Sequence, residues 1–405
     1  MKSIAARIKE FNKNRIPDMV ELKYKAMADN AFRFYRGTNH LFYEDLINSK
    51  TILPNSPLTW ICGDLHLENF GSFRSDNRQV YFDLNDFDEA VLAPAIYELL
   101  RIVTSIFIAF DSLEIENKKA LNMAQLFLKT YSAVLSKGKS TYIEPGTAKG
   151  IVCEFLTKIS KRSSKKVLRK KAVLKKHKIL LSDPKHFKLK PALKKQILAH
   201  MAKWLKDDGD SPYNYKAVDA VFRLAGTGSI GLKRYAVLLK TLNEEGEKYM
   251  LVDMKQAATS SLQPYLKIRQ PKWNSEAERV IAIQKRMQNR IPALLSTTIF
   301  KGEPYIIQEM QPYEDSINFK VIKEEYRNIF QVIDDMAMLT ASSQLRASGR
   351  QGAGTADELI AFGQNTKWQE FVINYALQYA AKVKTDYLTF LTEFKNELKN
   401  KNRAA

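Results

Sequence analysis

The chain has 405 residues, 45% of them apolar, and a formal net charge of +20, enough for two lobes or domains with a sizeable core. Two cysteines, Cys62 and Cys153, give no disulfide framework and no zinc site. No apolar leader opens the chain, and its most apolar stretch, Val91 to Phe110, is interrupted by Glu98 and Arg101, so we expect a buried helix there, no membrane span, and a cytoplasmic protein.

Residues 4–50 carry apolar positions at helical spacing, until Pro54 and Pro57 break the pattern. Leu58 to Cys62 reads as a short buried strand ending at Gly63. Asn77 marks a hairpin turn, with Val80-Tyr81-Phe82 as the returning strand. A long helix follows from about Pro94 to Phe110, with more helix to about Leu135. Residues 158–206 hold 18 Lys and Arg against one acid, Asp183, so most of the net charge sits in this basic insert. The insert is expected to be mostly helical, broken at Pro184 and Pro191. Such a charge run suits contact with a polyanion (RNA, DNA, acidic lipid or a phosphorylated substrate) or a solvated helical face.

Character changes near Ala217. Val221 to Leu224 reads as a strand, followed by Gly226-Thr227-Gly228-Ser229-Ile230-Gly231. Arg234 to Lys240 alternates as a strand, Asn243 to Gly246 turns, and Tyr249 to Met254 is a strand again. Ser275 to Gln288 is a helix with capping-box spacing between Ser275 and Glu278. Leu294 to Phe300 and Tyr305 to Met310 flank a second hairpin. From Glu324 the pattern is helical, interrupted by the Gly-rich Ser348 to Gly354, with a tail at Lys399 to Arg403 expected to fray.

The glycine loop fits two folds in isolation. A dinucleotide fold would open a helix after the loop, to bring helix amides to the pyrophosphate. Here the loop opens an alternating strand, the arrangement in which a kinase lid lays backbone amides over nucleotide phosphates. That makes an oxidoreductase a poor reading. Gly226, Thr227, Gly228, Ser229 and Gly231 are therefore candidate ATP contacts, against an ordinary glycine hairpin. Lys255 closes the third strand, where an ammonium would reach the α- and β-phosphates, against a plain exposed lysine. Glu276 or Glu278 could hold it, with Glu278 preferred. Glu309 and Met310, leading into Gln311-Pro312, resemble a strand and hinge that bind adenine through the backbone.

Before this lobe comes the acidic chemistry. Asp64 follows a buried strand and a glycine, as a carboxylate that takes or orients a hydroxyl proton would. Asn69 and Asp86 offer hard oxygens to Mg²⁺, and Asp88 offers another for a second metal or a water. Asp83 stays a rival to Asp86. His66 is expected to order the loop by hydrogen bonding, and Glu98 to anchor it from beneath. Arg33 and Arg36 could reach a phosphate, although structural ion pairs suit them better.

These segments carry a resemblance. Gly63-Asp64-Leu65-His66 with Asn69, and Asp86 to Ala90 followed by Pro94-Ala95 and Tyr97-Glu98-Leu99, resemble the aminoglycoside and choline phosphotransferases, which are kinase-like. More closely, RFYRGTNHLFYEDL (33–46), GDLHLENFG (63–71), FDLNDFDEA (82–90) and AGTGSIGLKRYAVLL (225–239) together look like the uncharacterised bacterial family called domain of unknown function 2252. The resemblance covers most of residues 15–350 and implies a kinase-like fold using ATP and Mg²⁺, without naming an acceptor. Two departures stand out: a longer gap from Asn69 to Asp86, and the catalytic segment preceding the glycine-loop lobe. The expected fold is thus α+β, a two-lobed protein-kinase-like architecture in circular permutation. Residues 1–216 form a helical catalytic portion with the basic insert, 217–320 a β-rich nucleotide lobe, and 321–405 a helical region packing on the catalytic part. The expected activity is phosphoryl transfer to a hydroxyl of an unknown small molecule or protein. The alternatives are AMP transfer, or a non-catalytic nucleotide sensor or RNA-binding pseudokinase.

Overall fold

The computed structural model describes residues 3–162, 168, 171–173, 176–207, 209, 211–242, 248–310 and 316–404. The turn at 243–246, the 311–312 end of the expected hinge and parts of the basic insert lie outside them.

Four helices open the chain: α1 (Ile4–Asn12), α2 (Pro17–Met27), α3 (Ala31–Gly37) and α4 (Asn39–Asn48). Local chemistry sets their starts. The Ser3 hydroxyl accepts from the Ala6 amide, Pro17 occupies the first turn of α2, and the Asn30 side chain accepts from the Arg33 amide. Next, β1 (Leu58–Ile61) pairs antiparallel with β4 (Val91–Pro94), bracketing the hairpin of β2 (Phe70–Arg74) and β3 (Val80–Leu84). The left-handed residue in that turn is Arg78 (φ 65°), and Asn77 accepts from the Gln79 amide. The helix α5 (Ala95–Ser112) is buried along nearly its whole length, as its apolar run requires. After it, α6 (Asn117–Lys137) stops at Gly138 in the left-handed conformation.

After α7 (Gly150–Ser160) come the short strands β5 (Ala172–Val173), β6 (Lys178–Ile179) and β7 (His186–Phe187), then α8 (Pro191–Asp207). In place of a mostly helical insert, the described residues form a two-stranded hairpin, a sheet-edge strand and one helix. The helix α8 buries Ile197, Met201 and Trp204 at helical spacing against the sheet, pairs Lys194 with Asp219 of β8, and leaves Lys195, Lys203 and Lys206 exposed.

A six-stranded antiparallel sheet runs in the order β11-β12-β10-β9-β8-β7, using β8 (Tyr215–Arg223), β9 (Arg234–Thr241), β10 (Tyr249–Gln256), β11 (Ser296–Phe300) and β12 (Glu303–Glu309). The helix α9 (Glu276–Met287) connects β10 to β11. Alternation assigns the faces. Tyr235, Val237, Leu239, Val252 and Met254 pack under α8. Ala236, Leu238 and Leu251 point the other way, the side shared by Asp253 and Lys255. The elements β7 and α8, which precede residue 217, belong to this sheet and its cover.

The chain closes with α10 (Phe319–Ile322), α11 (Tyr326–Ala347), α12 (Ala356–Gln364) and α13 (Trp368–Ala404). The α13 backbone stays helical through the Lys399–Arg403 tail, where composition pointed to fraying. Together with α3–α6 and β1–β4, these helices build the largest apolar core. Among the described residues no helix is long and apolar enough to cross a membrane, and both cysteines are free thiols.

Candidate active site

The loop that carries Asp64 is held from below. The Cys62 and Gly63 amides donate to Glu98 Oε1 (2.8 and 3.2 Å), the anchoring role expected from the sequence. Burial pushes the Glu98 carboxyl up to about 8 despite those amides. Gly63 has φ 76°, and a Cβ there would stand 2.2 Å from the Glu89 carbonyl oxygen, so only glycine fits. The loop is also tied internally: Asn69 Nδ2 donates to the Asp64 carbonyl (2.6 Å), and the Glu68 amide donates to His66 Nδ1 (3.1 Å). His66 thus orders the loop as expected, its imidazole kept neutral by burial and by the charges of Arg36 and Arg101.

Asp64 lies on a cleft of about 330 Å³. Arg101, fully buried on α5, donates from Nε (3.1 Å) and Nη2 (2.6 Å) to Asp64 Oδ1. The same guanidinium sits 3.6 Å over the Tyr35 ring. This leaves Oδ2 toward the glycine loop, where a Cβ on Gly228 would be 3.7 Å away. Burial pushes Asp64 up to about 7, with Arg101 pulling the other way.

Asp86 and Asp88 line the same cleft, together with Gly228 and Ser229. Lys255 reaches across from β10. Its Nζ is 3.5 Å from Asp86 Oδ1 and pairs closely with Asp88 Oδ2. Burial opposes the ammonium charge, but the two carboxylates outweigh it and hold Lys255 above its ordinary value. Burial and the neighbouring Asp86 raise Asp88, and Lys255 pulls it back. Asp83, the rival ligand, is buried on β3 with its Oδ1 accepting from the Leu84 amide and its Oδ2 3.6 Å from Arg346. Burial lifts it to about 6, and it does not line the cleft.

The expected Lys255–Glu278 pair does not form. Glu278 Oε2 accepts from the Asn274 amide (2.7 Å), while the Glu278 amide donates to Ser275 Oγ (3.2 Å): the carboxylate caps α9. Glu276 is taken by Arg279 and Thr259. Lysine finds its counter-charge on the acidic loop because Asp86 and Asp88 lie directly across from its strand end. Glu309 and Met310 are likewise committed. The Met310 amide donates to the Leu251 carbonyl (2.7 Å), the Glu309 amide to the Ala293 carbonyl (2.9 Å), and the Glu309 carboxylate pairs with Arg78. Met310 packs in one buried apolar cluster with Val221, Ala236, Leu238 and Leu251, together with Ala172 and Ile179 of the basic insert. Arg33 pairs with Asp29 and Arg36 with Glu68, the structural role favoured for both.

The glycine loop runs strand to strand, with no helix after it. Gly226 (φ 69°) and Gly231 (φ 98°) supply its left-handed turns, Ser229 Oγ donates to the Ala225 carbonyl (2.8 Å), and Thr227 is buried beside Gly37. An unforeseen clamp holds it. Arg15 Nη1 donates to the Gly228 and Ile230 carbonyls (both 2.7 Å), Lys23 Nζ to the Gly228 carbonyl (3.2 Å), and the Ile16 amide to the Gly231 carbonyl (3.0 Å). Lys23 is fully buried, and burial with the nearby Arg15 charge drives it well below its ordinary value.

Residues 15–393 match the family model described as an uncharacterized protein conserved in bacteria, DUF2252. The chain belongs to this family. Searches of curated proteins and of solved structures returned no match.

Three more side chains shape this DUF2252 site. Arg279, on α9, donates to the carbonyls of Asp88 (2.8 Å), Ala90 (2.5 Å) and Ala258 (2.9 Å), tying the acidic loop to α9 and to the segment after β10. Glu89 takes the Ser261 amide and the Ser260 and Ser261 hydroxyls. Asp253 is held far below the ordinary carboxylate range by Arg234 and Arg223, against its burial. Only Arg101 left a sequence signal, a charge inside an apolar helix. A larger cavity, about 610 Å³, lies between α4 and α13, but its Asp45 is already bound by Arg7, Lys382 and Tyr379.

Among the described residues no three His, Cys, Asp or Glu side chains gather as a ready metal cage. The donors present still suit Mg²⁺, which uses one or two carboxylates and completes its shell with phosphate and water. Asp86, whose side chain is 44% exposed, and Asp88 supply hard anionic oxygens at one spot. Asn69, which is buried and does not line the cleft, has its amide nitrogen engaged, so oxygen is its remaining ligand atom.

Proposed function

We propose that this protein is an ATP- and Mg²⁺-dependent phosphotransferase of kinase-like, circularly permuted architecture, acting on a hydroxyl. The observation that carries the proposal is the meeting of two distant segments across one cleft: Lys255 and Gly228 from the sheet lobe against Asp64, Asp86 and Asp88. The strand order β11-β12-β10-β9-β8 adds support, because a glycine loop, a strand-end lysine and a helix follow one another as in a kinase nucleotide lobe.

In this reading Asp64 Oδ2 accepts the proton of the acceptor hydroxyl as that oxygen bonds to the terminal phosphorus and the nucleoside diphosphate leaves. Arg101 keeps Asp64 oriented and ionisable in a buried setting. Lys255 moves from Asp86 and Asp88 to the phosphates when nucleotide enters, freeing both acids for the cation. Asp86 and Asp88 would hold Mg²⁺, with Asn69 Oδ1 as a further donor, and the bound ion would supply neutralisation of phosphate charge. Arg279 fixes the backbone carrying those acids.

The test is calorimetric binding of a non-hydrolysable ATP analogue with Mg²⁺, followed by turnover with ATP. We expect binding that depends on Mg²⁺, and turnover lost in Asp86→Asn and Lys255→Met. Wild-type protein that binds no nucleotide under any Mg²⁺ concentration sinks the reading. The product decides the transfer type: ADP for phosphoryl transfer, pyrophosphate for AMP transfer.

A further inference from the structure

A second cavity, of about 360 Å³, adjoins the cleft and shares Phe11 and Thr259 with it. Its unusual member is His40. This side chain is 4% exposed, and among the described residues neither Nδ1 nor Nε2 has a hydrogen-bond partner. One face of the ring stacks on Phe11 at 3.9 Å. A buried imidazole with both nitrogens unmatched carries a desolvation cost that stacking does not repay. Burial and the surrounding Lys23, Arg15, Arg7 and Arg101 charges keep it neutral, so it offers one donor and one acceptor.

The rest of the wall is hydroxyl-rich, with its protons already committed. Thr259 donates to Glu276, and Ser260 and Ser261 donate to Glu89. The Leu262 amide and Asn39 Nδ2 each take one lone pair, on Ser260 and Ser261 respectively. A hydroxyl oxygen has two lone pairs, so all three keep acceptor capacity and suit a ligand that brings hydroxyl donors. The charges are matched internally: Arg7 binds Glu44 and Asp45, and Glu10 holds Lys13. An ionic ligand would have to break such pairs; a neutral one would not.

The cavity is wired to the catalytic loop. Asn39, next to His40, donates to the Gly63 carbonyl, one residue before Asp64. Glu89, which holds Ser260 and Ser261, lines the cleft with Asp64. We infer that this cavity receives the body of the acceptor, an uncharged polyol of monosaccharide size, with His40 and the Thr259–Ser261 hydroxyls binding it and its reacting hydroxyl passing the shared Phe11 and Thr259 into the cleft that Asp64 lines. Its assignment to the acceptor rests on the phosphotransferase reading; its capacity to bind a polyol does not.

The test uses the full chain and a probe set of D-glucose, D-mannose and myo-inositol, with binding read by ligand-observed NMR and calorimetry. At least one probe should bind, with affinity reduced tenfold or more in His40→Phe, which keeps the ring stack and removes both nitrogens. Thr259→Val, at an exposed wall position, provides the same reading should His40→Phe fail to fold. Binding of no probe, or binding that neither variant weakens, overturns the inference. Nucleotide binding is measured separately. Nucleotide turnover with no polyol binding leaves the phosphotransferase and removes this site. Polyol binding without any nucleotide binding keeps the site as a binding cavity and removes its acceptor role.

Discussion

Replacing Arg101 by leucine probes Asp64, the carboxylate proposed as base, directly. The guanidinium donates twice to Asp64 Oδ1 and is itself fully buried. An opposite charge this close lowers a carboxyl by about 1–3 pKa units. Asp64 already stands at about 7, so its loss should carry Asp64 to roughly 8–10. At pH 7 the ionised fraction then falls from near half to about a tenth or less. Turnover that depends on Asp64 as base should fall by the same factor and recover as pH rises. The stability sign follows. Because the folded value lies above the ordinary one near 4, the folded chain holds this proton longer than the unfolded chain. Stability is therefore lost as pH rises through about 4–7 in the native protein, and on through the higher value in Arg101→Leu. Above both values the extra loss is about 1.4–4 kcal/mol, at 1.36 kcal/mol per unit. Carboxyl infrared titration, taken as the difference against Asp64→Asn, isolates this group from Glu98 and Asp335, which burial also raises. An Asp64 titration that stays put or moves down in Arg101→Leu refutes the reasoning.

Three other changes follow from the same geometry. Gly231→Ala puts a Cβ 2.9 Å from Arg15 Cβ at φ 98°, so it should lower stability by roughly 1–3 kcal/mol in urea melts; an unchanged midpoint would mean the clamp yields freely. Arg279→Leu strands three carbonyls around the acidic loop, and should cost about 2–4 kcal/mol and raise the exchange rate of the 86–90 amides; protection equal to wild type would rule out the tether. Ile179→Ala would open space in the buried apolar cluster around Met310, where the phosphotransferase reading puts adenine, so nucleotide affinity should increase severalfold. A decrease would show that Ile179 supports the cluster instead of blocking it.

The strand–glycine loop–strand order, the long buried helix and the Glu98 anchor were legible because each rests on local pattern: alternation, an apolar run, and a carboxylate one turn into a helix beneath a strand end. The pairing of Lys255 was not. Its partner depended on where the acidic loop stops in space, and spacing along the chain favoured Glu278, whose local capping role won. The insert misled in another way. It read as mostly helix, broken at Pro184 and Pro191, while a few apolar positions, Ile179, Ile197, Met201 and Trp204, decide what packs on the sheet. Arg279 and Arg15 act on backbone carbonyls, which any residue presents, so no residue pattern announces them.

The grip of the first helices on the glycine loop also constrains how the protein opens and forms. Lys23 is sealed with its ammonium on Asn12 Oδ1 and the Gly228 carbonyl, partners separated by more than 200 positions. Neither segment supplies both acceptors of that buried nitrogen alone. The full hydrogen bonding of Lys23 can therefore form only once the glycine loop has emerged, and opening of the loop is expected to be coupled to opening of α1 and α2.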